Sequence, residues 1–285
     1  MRTCRERVIR TVLGIIALST VISLLLIAIF VVNGGLAFIL QVGVKDFIFS
    51  SEWSPTTGKF GIGTMILASL CVTIGALIIG APFGVGAAIF LNEFAPPGWM
   101  KTLKPAIELL AAIPSVVYGF IGMVVLVPWI RTHLGGSGFS LLAACIILGV
   151  MILPTILSIS CDAIASVPNT YREGALALGA TRWQTVWRVV IKAASSGIVA
   201  GIILGMGRAI GETMAVMMVA GNSVKMFTSL LEPVRTLTAN IAMEMSYATG
   251  MHQQALFATS IVLFIAIMVL NSIAIILTRR GIRRK

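Results

Sequence analysis

Charge is scarce in this sequence: 11% of its 285 residues are Asp, Glu, Lys or Arg, against 58% hydrophobic. A chain with so little polar surface to offer water is excluded as an ordinary soluble globule. Several of its apolar runs approach or exceed the ~20 residues that cross a bilayer as helix. Histidine is nearly missing: His133 and His252 stand far apart with no Cys or Glu clustered near either, so no metal site is expected. The four cysteines, Cys4, Cys71, Cys145 and Cys161, share no close spacing, and two of them fall inside apolar runs. They read as small buried thiols, not as a disulfide framework. No catalytic triad, paired metal carboxylates or nucleotide loop is present either. The glycines Gly135, Gly136 and Gly138 lack the Lys-Ser/Thr ending of a phosphate cradle and read as a turn. No catalytic residue and no cofactor bound by the chain itself are expected. No small-residue cleavage site stands out after the first apolar run, which therefore reads as a retained anchor.

Acidic residues are the minority charge, 10 against 21 basic, giving a net charge of +11. In a soluble protein that excess would suggest nucleic acid. Here the positive residues flank apolar runs, and their retention on the cytoplasmic side accounts for them. The runs predict an all-α polytopic protein with spans near 12–32, 64–91, 105–127, 139–160, 195–219 and 255–277, forming one transmembrane domain over 1–285. With both termini inside, the cytoplasmic side holds Arg2, Arg5, Arg7, Arg10, Lys101, Lys104, Arg172, Arg182, Arg188, Lys192 and the basic end from Arg279 to Lys285. Only Lys45, Lys59, Arg131, Lys225 and Arg235 fall outside, which favours an N-in, C-in arrangement. Prolines inside the runs, Pro82, Pro114 and Pro154, predict kinks that neighbouring groups compensate. The section from Ser229 to Met245 is too polar for an ordinary span and reads as a re-entrant or surface helix.

The longest polar interlude on the cytoplasmic side is 168–192, PNTYREGALALGATRWQTVWRVVIK. Thr170 followed by Glu173 reads as a capping box that opens a short helix, and Gly179 ends it. A second helix is expected from Thr181, with Trp183, Val186, Trp187, Val190 and Ile191 on one side. Two short amphipathic helices meeting at a glycine suit a surface held by another protein; a plain connector between spans is the competing reading.

Arg208 and Glu212 are the one acid–base pair expected deep inside a span. At i,i+4 spacing on an unbroken helix they share a face, so each would lower the other's desolvation cost. Intramembrane charge commonly marks a path or site, and a guanidinium fork suits an oxyanion. A structural lock between spans remains open beside that role. Thr213 and Asn222 are candidate polar neighbours on the path.

The loop segment EGALALGATRWQTVWRVVIKAA resembles the cytoplasmic loop of permease subunits of ATP-binding-cassette importers. In that loop a Glu-Ala-Ala opening and a glycine a few residues later dock an ATPase. Glu173 matches the acidic residue, Gly174 and Ala175 its small pair, and Gly179 the glycine; Gly174 departs from the motif's Ala, small for small. The segments AAIPSVVYGFIG (111–122), FLNEFAP (90–96), GRAIGETMAV (207–216) and LTANIAMEM (237–245) resemble the phosphate-specific branch of the family over nearly the whole chain. That resemblance implies a type I importer permease fold of six spans in a multi-pass prokaryotic cell membrane. It also implies a PstA-like permease as second half, a PstB-like ATPase dimer that carries ATP and Mg2+, and a PstS-like binding protein delivering phosphate outside. It assigns Arg208 and Glu212 to phosphate passage, and Thr170, Glu173, Gly174, Ala175, Gly179, Ala180 and Thr181 to ATPase coupling. Permeases for sulfate or molybdate, the paralogous permease subunit, a secondary transporter and a purely structural or signalling subunit are the alternatives.

Overall fold

The computed structural model describes residues 2–96 and 98–283, with side chains over 9–96, 98–100 and 102–276. Readings that rest on the side chains of Arg2, Cys4, Arg5, Arg7, Lys101 and the basic end from Arg279 to Lys285 lie outside the described residues.

Among the described residues six helices are long and apolar enough to cross a membrane. Helix α1 (Arg2–Val42) is the first and is followed by a short outer helix α2 (Val44–Phe49). A two-stranded hairpin pairs β1 (Trp53–Ser54) with β2 (Lys59–Phe60). Helix α3 (Gly63–Ile89) is the second span and ends in a widened π turn, Phe90–Phe94. The amphipathic α4 (Trp99–Ala112) is next. The third span is α5 (Ser115–Ile121), a π turn at Gly122–Leu126 and α6 (Val127–His133). Helix α7 (Leu141–Ala165) is the fourth. Two cytoplasmic helices follow, α8 (Asn169–Ala177) and α9 (Arg182–Thr185), the latter running through a π turn at Val186–Val190 into α10 (Ile191–Gly211), the fifth span. Outer elements α11 (Met214–Val219) and α12 (Leu237–Glu244) precede α13 (Met251–Arg283), the sixth span.

Helix α7 is the centre of the bundle. Ile147, Leu148, Met151, Ile152 and Ile156 are buried between α3 on one side and α10 on the other. The seam against α3 depends on small residues: a Cβ placed on Gly80 would lie 2.7 Å from Ile152 Cγ1 and 2.8 Å from the Gly149 carbonyl. Lipid offers no hydrophobic drive between helices, so close backbone approach and packing supply the attraction. Pro154 is accommodated inside α7 without ending it. Helix α1, by contrast, exposes Leu24, Leu25, Leu26 and Phe30 along its length, the pattern of a helix facing lipid.

Three boundaries differ from the sequence reading. Helix α1 does not stop at Asn33-Gly34-Gly35 but continues to Val42. Those glycines are where α13 crosses, with the Phe257 ring 2.8 Å from where a Gly34 Cβ would stand. The third span is Ser115–His133 instead of 105–127, because the chain breaks at Ile113-Pro114 and leaves α4 as a separate helix. Arg131 and His133 consequently end a helix and do not lie in a loop. The fifth span is one continuous run from Arg182 to Gly211 that breaks at Glu212 instead of continuing to Val219.

Candidate functional site

The break after Gly211 decides what Arg208 faces. Glu212 has φ −69° and ψ 130°, an extended backbone that turns its carboxylate away from α10. Its Oε1 instead accepts from the Ala215 N–H at 3.1 Å, in the manner of a helix cap on α11. The expected Arg208–Glu212 pair is therefore corrected: no ion pair joins them among the described residues, since i,i+4 neighbours meet only where the helix is unbroken.

The half-buried Arg208 guanidinium donates from Nη1 to the Ala111 carbonyl and to Thr155 Oγ1, both at 3.4 Å. Ala111 belongs to the last turn of α4, where helix carbonyls have no intrahelical partner and the dipole's negative end attracts a cation. Thr155 stands near the middle of the 25-residue α7, so the cation sits deep within the bundle. Two neutral acceptors at long range hold the charge without neutralising it. Thr155 and Ala111 were missed in the sequence, where nothing local links them to Arg208.

The other residues expected on the path are placed differently. Thr213 sits at the break with its hydroxyl on the Gly211 carbonyl, 3.3 Å away. Asn222 lies beyond α11, in a left-handed conformation at φ +53°, and its Nδ2 donates to Met217 O at 2.7 Å. Its backbone carbonyl accepts from Arg235 Nε at 2.9 Å, so Asn222 shapes the outer turn, and no hydrogen bond joins it to Arg208 among the described residues.

A second polar cluster lies at the outer end. The Glu244 side chain is 8% exposed and binds Arg235 Nη1 through Oε1 at 2.6 Å. Its Oε2 meets His252 Nε2 at 2.8 Å and accepts from Trp53 Nε1 at 2.9 Å. Thr238 of α12 donates to the Glu212 carbonyl at 3.0 Å, tying this cap to the broken end of α10. Within the segment read as a re-entrant or surface helix, only Leu237–Glu244 is helical and it is largely buried, and the separation of 191 positions between Trp53 and Glu244 hid the cluster from any local pattern.

On the cytoplasmic side α8 begins at Asn169 directly after Pro168. Thr170 is therefore already inside the first turn, and the expected Thr170–Glu173 capping box does not form: no side chain caps α8. The capping box is instead at Thr181–Gln184, with Thr181 Oγ1 accepting from Gln184 N at 3.2 Å and Gln184 Oε1 from Thr181 N at 3.0 Å. Gly179 holds φ +83° between the two helices, a left-handed turn that favours glycine. Thr170, Glu173 and Gly174 are exposed, and Ala175 and Ala180 are half-buried. Beside them Leu178 is 90% exposed, with Tyr171, Leu176, Trp183 and Trp187 also open, while Val186 and Val190 are buried beneath. An exposed apolar face of this kind marks contact with another protein or with the membrane surface. Nearby, Lys104 meets Asp162 at 2.5 Å, and that hydrogen bond and charge hold its ammonium above the ordinary lysine value.

The chain resembles known proteins over most of its length. It is 43% identical over 268 residues to the Probable ABC transporter permease protein YqgH of Bacillus subtilis, covering 92% of this chain and 86% of that one. It is 36% identical to the Phosphate transport system permease protein PstC of Xylella fastidiosa strain 9a5c, covering 86% and 82%. The Haemophilus influenzae protein of the same name is 34% identical, covering 98% and 93%. Among solved structures, a bacterial alginate ABC transporter chain superposes with a TM-score of 0.66 over 94% of both chains at 18% identity. A chain of the MetNI methionine ABC transporter superposes with 0.60 over 76% of this chain and 94% of that one at 19% identity. At such identities they establish the fold alone, that of type I importer permeases. The family model for binding-protein-dependent transport system inner membrane components matches residues 80–284. This chain belongs to that family: it is a multi-pass inner-membrane permease subunit of an ATP-binding-cassette importer, not an enzyme, and works with an ATPase and a substrate-binding protein.

Proposed function

We propose that this chain is the PstC-type permease subunit of an ATP-driven phosphate importer, forming half of the path beside a PstA-like permease. The observation that carries the substrate reading is the cation at Arg208. An arginine within the bundle, bonded among the described residues to neutral oxygens at 3.4 Å, is primed to exchange them for an oxyanion. Glu212 Oε1 is engaged by the Ala215 N–H, and no ion pair to a carboxylate ties up Arg208 among the described residues. The same reading is supported by the relatives of Xylella fastidiosa and Haemophilus influenzae, both named phosphate transport permeases.

The coupling surface is α8, Gly179 and the start of α9. Thr170, Glu173, Gly174 and Ala175, with Ala180 and Thr181 after the turn, face a PstB-like ATPase that covers Leu178 and its apolar neighbours. ATP and Mg2+ are bound by that partner. A PstS-like protein delivers phosphate to the outer face. Closure of the ATPase dimer on ATP opens the path outward, and hydrolysis restores the inward state.

The test is labelled-phosphate uptake by the reconstituted complex with competing anions. Unlabelled phosphate suppresses uptake, while sulfate and molybdate at equal concentration leave it intact. Preferential suppression by either of the latter assigns the path to that anion instead.

A further inference from the structure

We propose that Glu93 is the positioning residue that ties the ATPase-docking loop to the second span, and that this tie, with Arg172, makes ATP hydrolysis productive for transport. The inference rests on the docking reading of α8 given above.

Arg172 lies on α8 and points inward from the docking surface. Its Nη2 reaches Glu93 Oε1 at 2.6 Å and its Nε reaches the same oxygen at 3.1 Å. The same guanidinium donates to the Val167 carbonyl at 2.7 Å and the Ile164 carbonyl at 3.2 Å, at the end of α7. One side chain therefore joins three segments: the end of the second span, the end of the fourth and the docking helix. A second arginine reinforces the joint, with Arg182 of α9 donating to the Glu93 carbonyl at 3.3 Å. The aromatic contact of Phe94 with Trp183, centroids 5.9 Å apart, closes the same corner.

Burial separates this pair from ordinary surface charge. The Glu93 side chain is 9% exposed and Arg172 21%. The neighbouring Lys104–Asp162 pair is largely open to water, where screening and side-chain entropy leave little net coupling. Breaking a buried, forked pair leaves an uncompensated charge and is felt strongly. Helices α3, α7 and α10 are packed tightly together, so a displacement that reaches Glu93 and the end of α7 is carried to the level of Thr155 and Arg208.

The experiment compares wild type, Glu93→Gln, Glu93→Asp, Arg172→Gln and the double Gln variant as full complexes in proteoliposomes, measuring ATP hydrolysis and phosphate uptake together. Glu93→Gln retains the ATPase on purification and retains hydrolysis, while phosphate moved per ATP falls by about tenfold or more. Glu93→Asp restores part of the ratio, and the double variant is no worse than either single one. An unchanged ratio in Glu93→Gln overturns the proposal, as do single effects that multiply in the double variant. Loss of the ATPase from the Glu93→Gln complex also counts against it, because the pair would then serve docking and not transmission. A wild-type complex that recovers no ATPase refutes the docking reading itself, before any variant is made.

Discussion

Replacing Arg208 with alanine separates the two roles an intramembrane cation can have. Its present contacts are two hydrogen bonds to neutral oxygens at 3.4 Å, near the outer limit of the interaction. Even with a charged donor, bonds this long fall short of the roughly 1.5–3 kcal/mol of a well-made one. Removing a cation from the apolar bundle relieves a cost of roughly 2.5–3.5 kcal/mol on insertion scales. The variant complex should therefore assemble normally and melt at the same temperature or higher. Transport should behave oppositely. A forked pair of charge-assisted bonds to a passing oxyanion is worth about 3–6 kcal/mol at 1.5–3 each, and losing even the lower figure slows passage by about 100-fold. The assay is labelled-phosphate uptake by reconstituted complex, with subunit recovery and thermal unfolding measured on the same preparation. Undiminished uptake by an intact Arg208→Ala complex would refute the reasoning, and so would a variant that fails to assemble, since that is the signature of a structural lock.

Three further outcomes are expected. Changing Glu173 and Gly179 together to alanine should weaken ATPase recovery by roughly 30-fold in affinity, a hot-spot loss of about 2 kcal/mol, while the spans still insert. Gly80→Val should lower the unfolding temperature through about 1–3 kcal/mol of overpacking against Ile152 and the Gly149 carbonyl. Gly86→Ala on the same helix meets nothing within 4 Å and should not lower it. Glu244→Ala strips Arg235, at a site 15% exposed, of its ion-pair partner and should cost about 3–5 kcal/mol, read as early melting of the outer cap by hydrogen exchange.

The spans were legible because apolar length in a low-charge chain has few alternatives, and basic residues sort to one side. What stayed illegible depends on distant contacts or on backbone breaks. Gly34-Gly35 looks like an end locally, and only the crossing of α13 makes it an interior. The spacing of Arg208 and Glu212 assumed a continuous helix, and no proline marks the break between them. Thr155, Glu93 and the Trp53–Glu244 contact join positions far apart in sequence, which periodicity does not address. The cytoplasmic loop was more legible, since Gly179 and Thr181 act through local backbone geometry. Even there the first cap differs from the expectation, because Pro168 starts α8 two residues earlier than Thr170 would.

The most direct measurement is phosphate uptake into proteoliposomes containing this permease with its second permease, ATPase and binding protein, each component omitted in turn. Uptake that requires ATP and the ATPase, and that disappears when either is withheld, is the expected result. Phosphate uptake by this chain alone, driven by an ion gradient, would contradict the assignment.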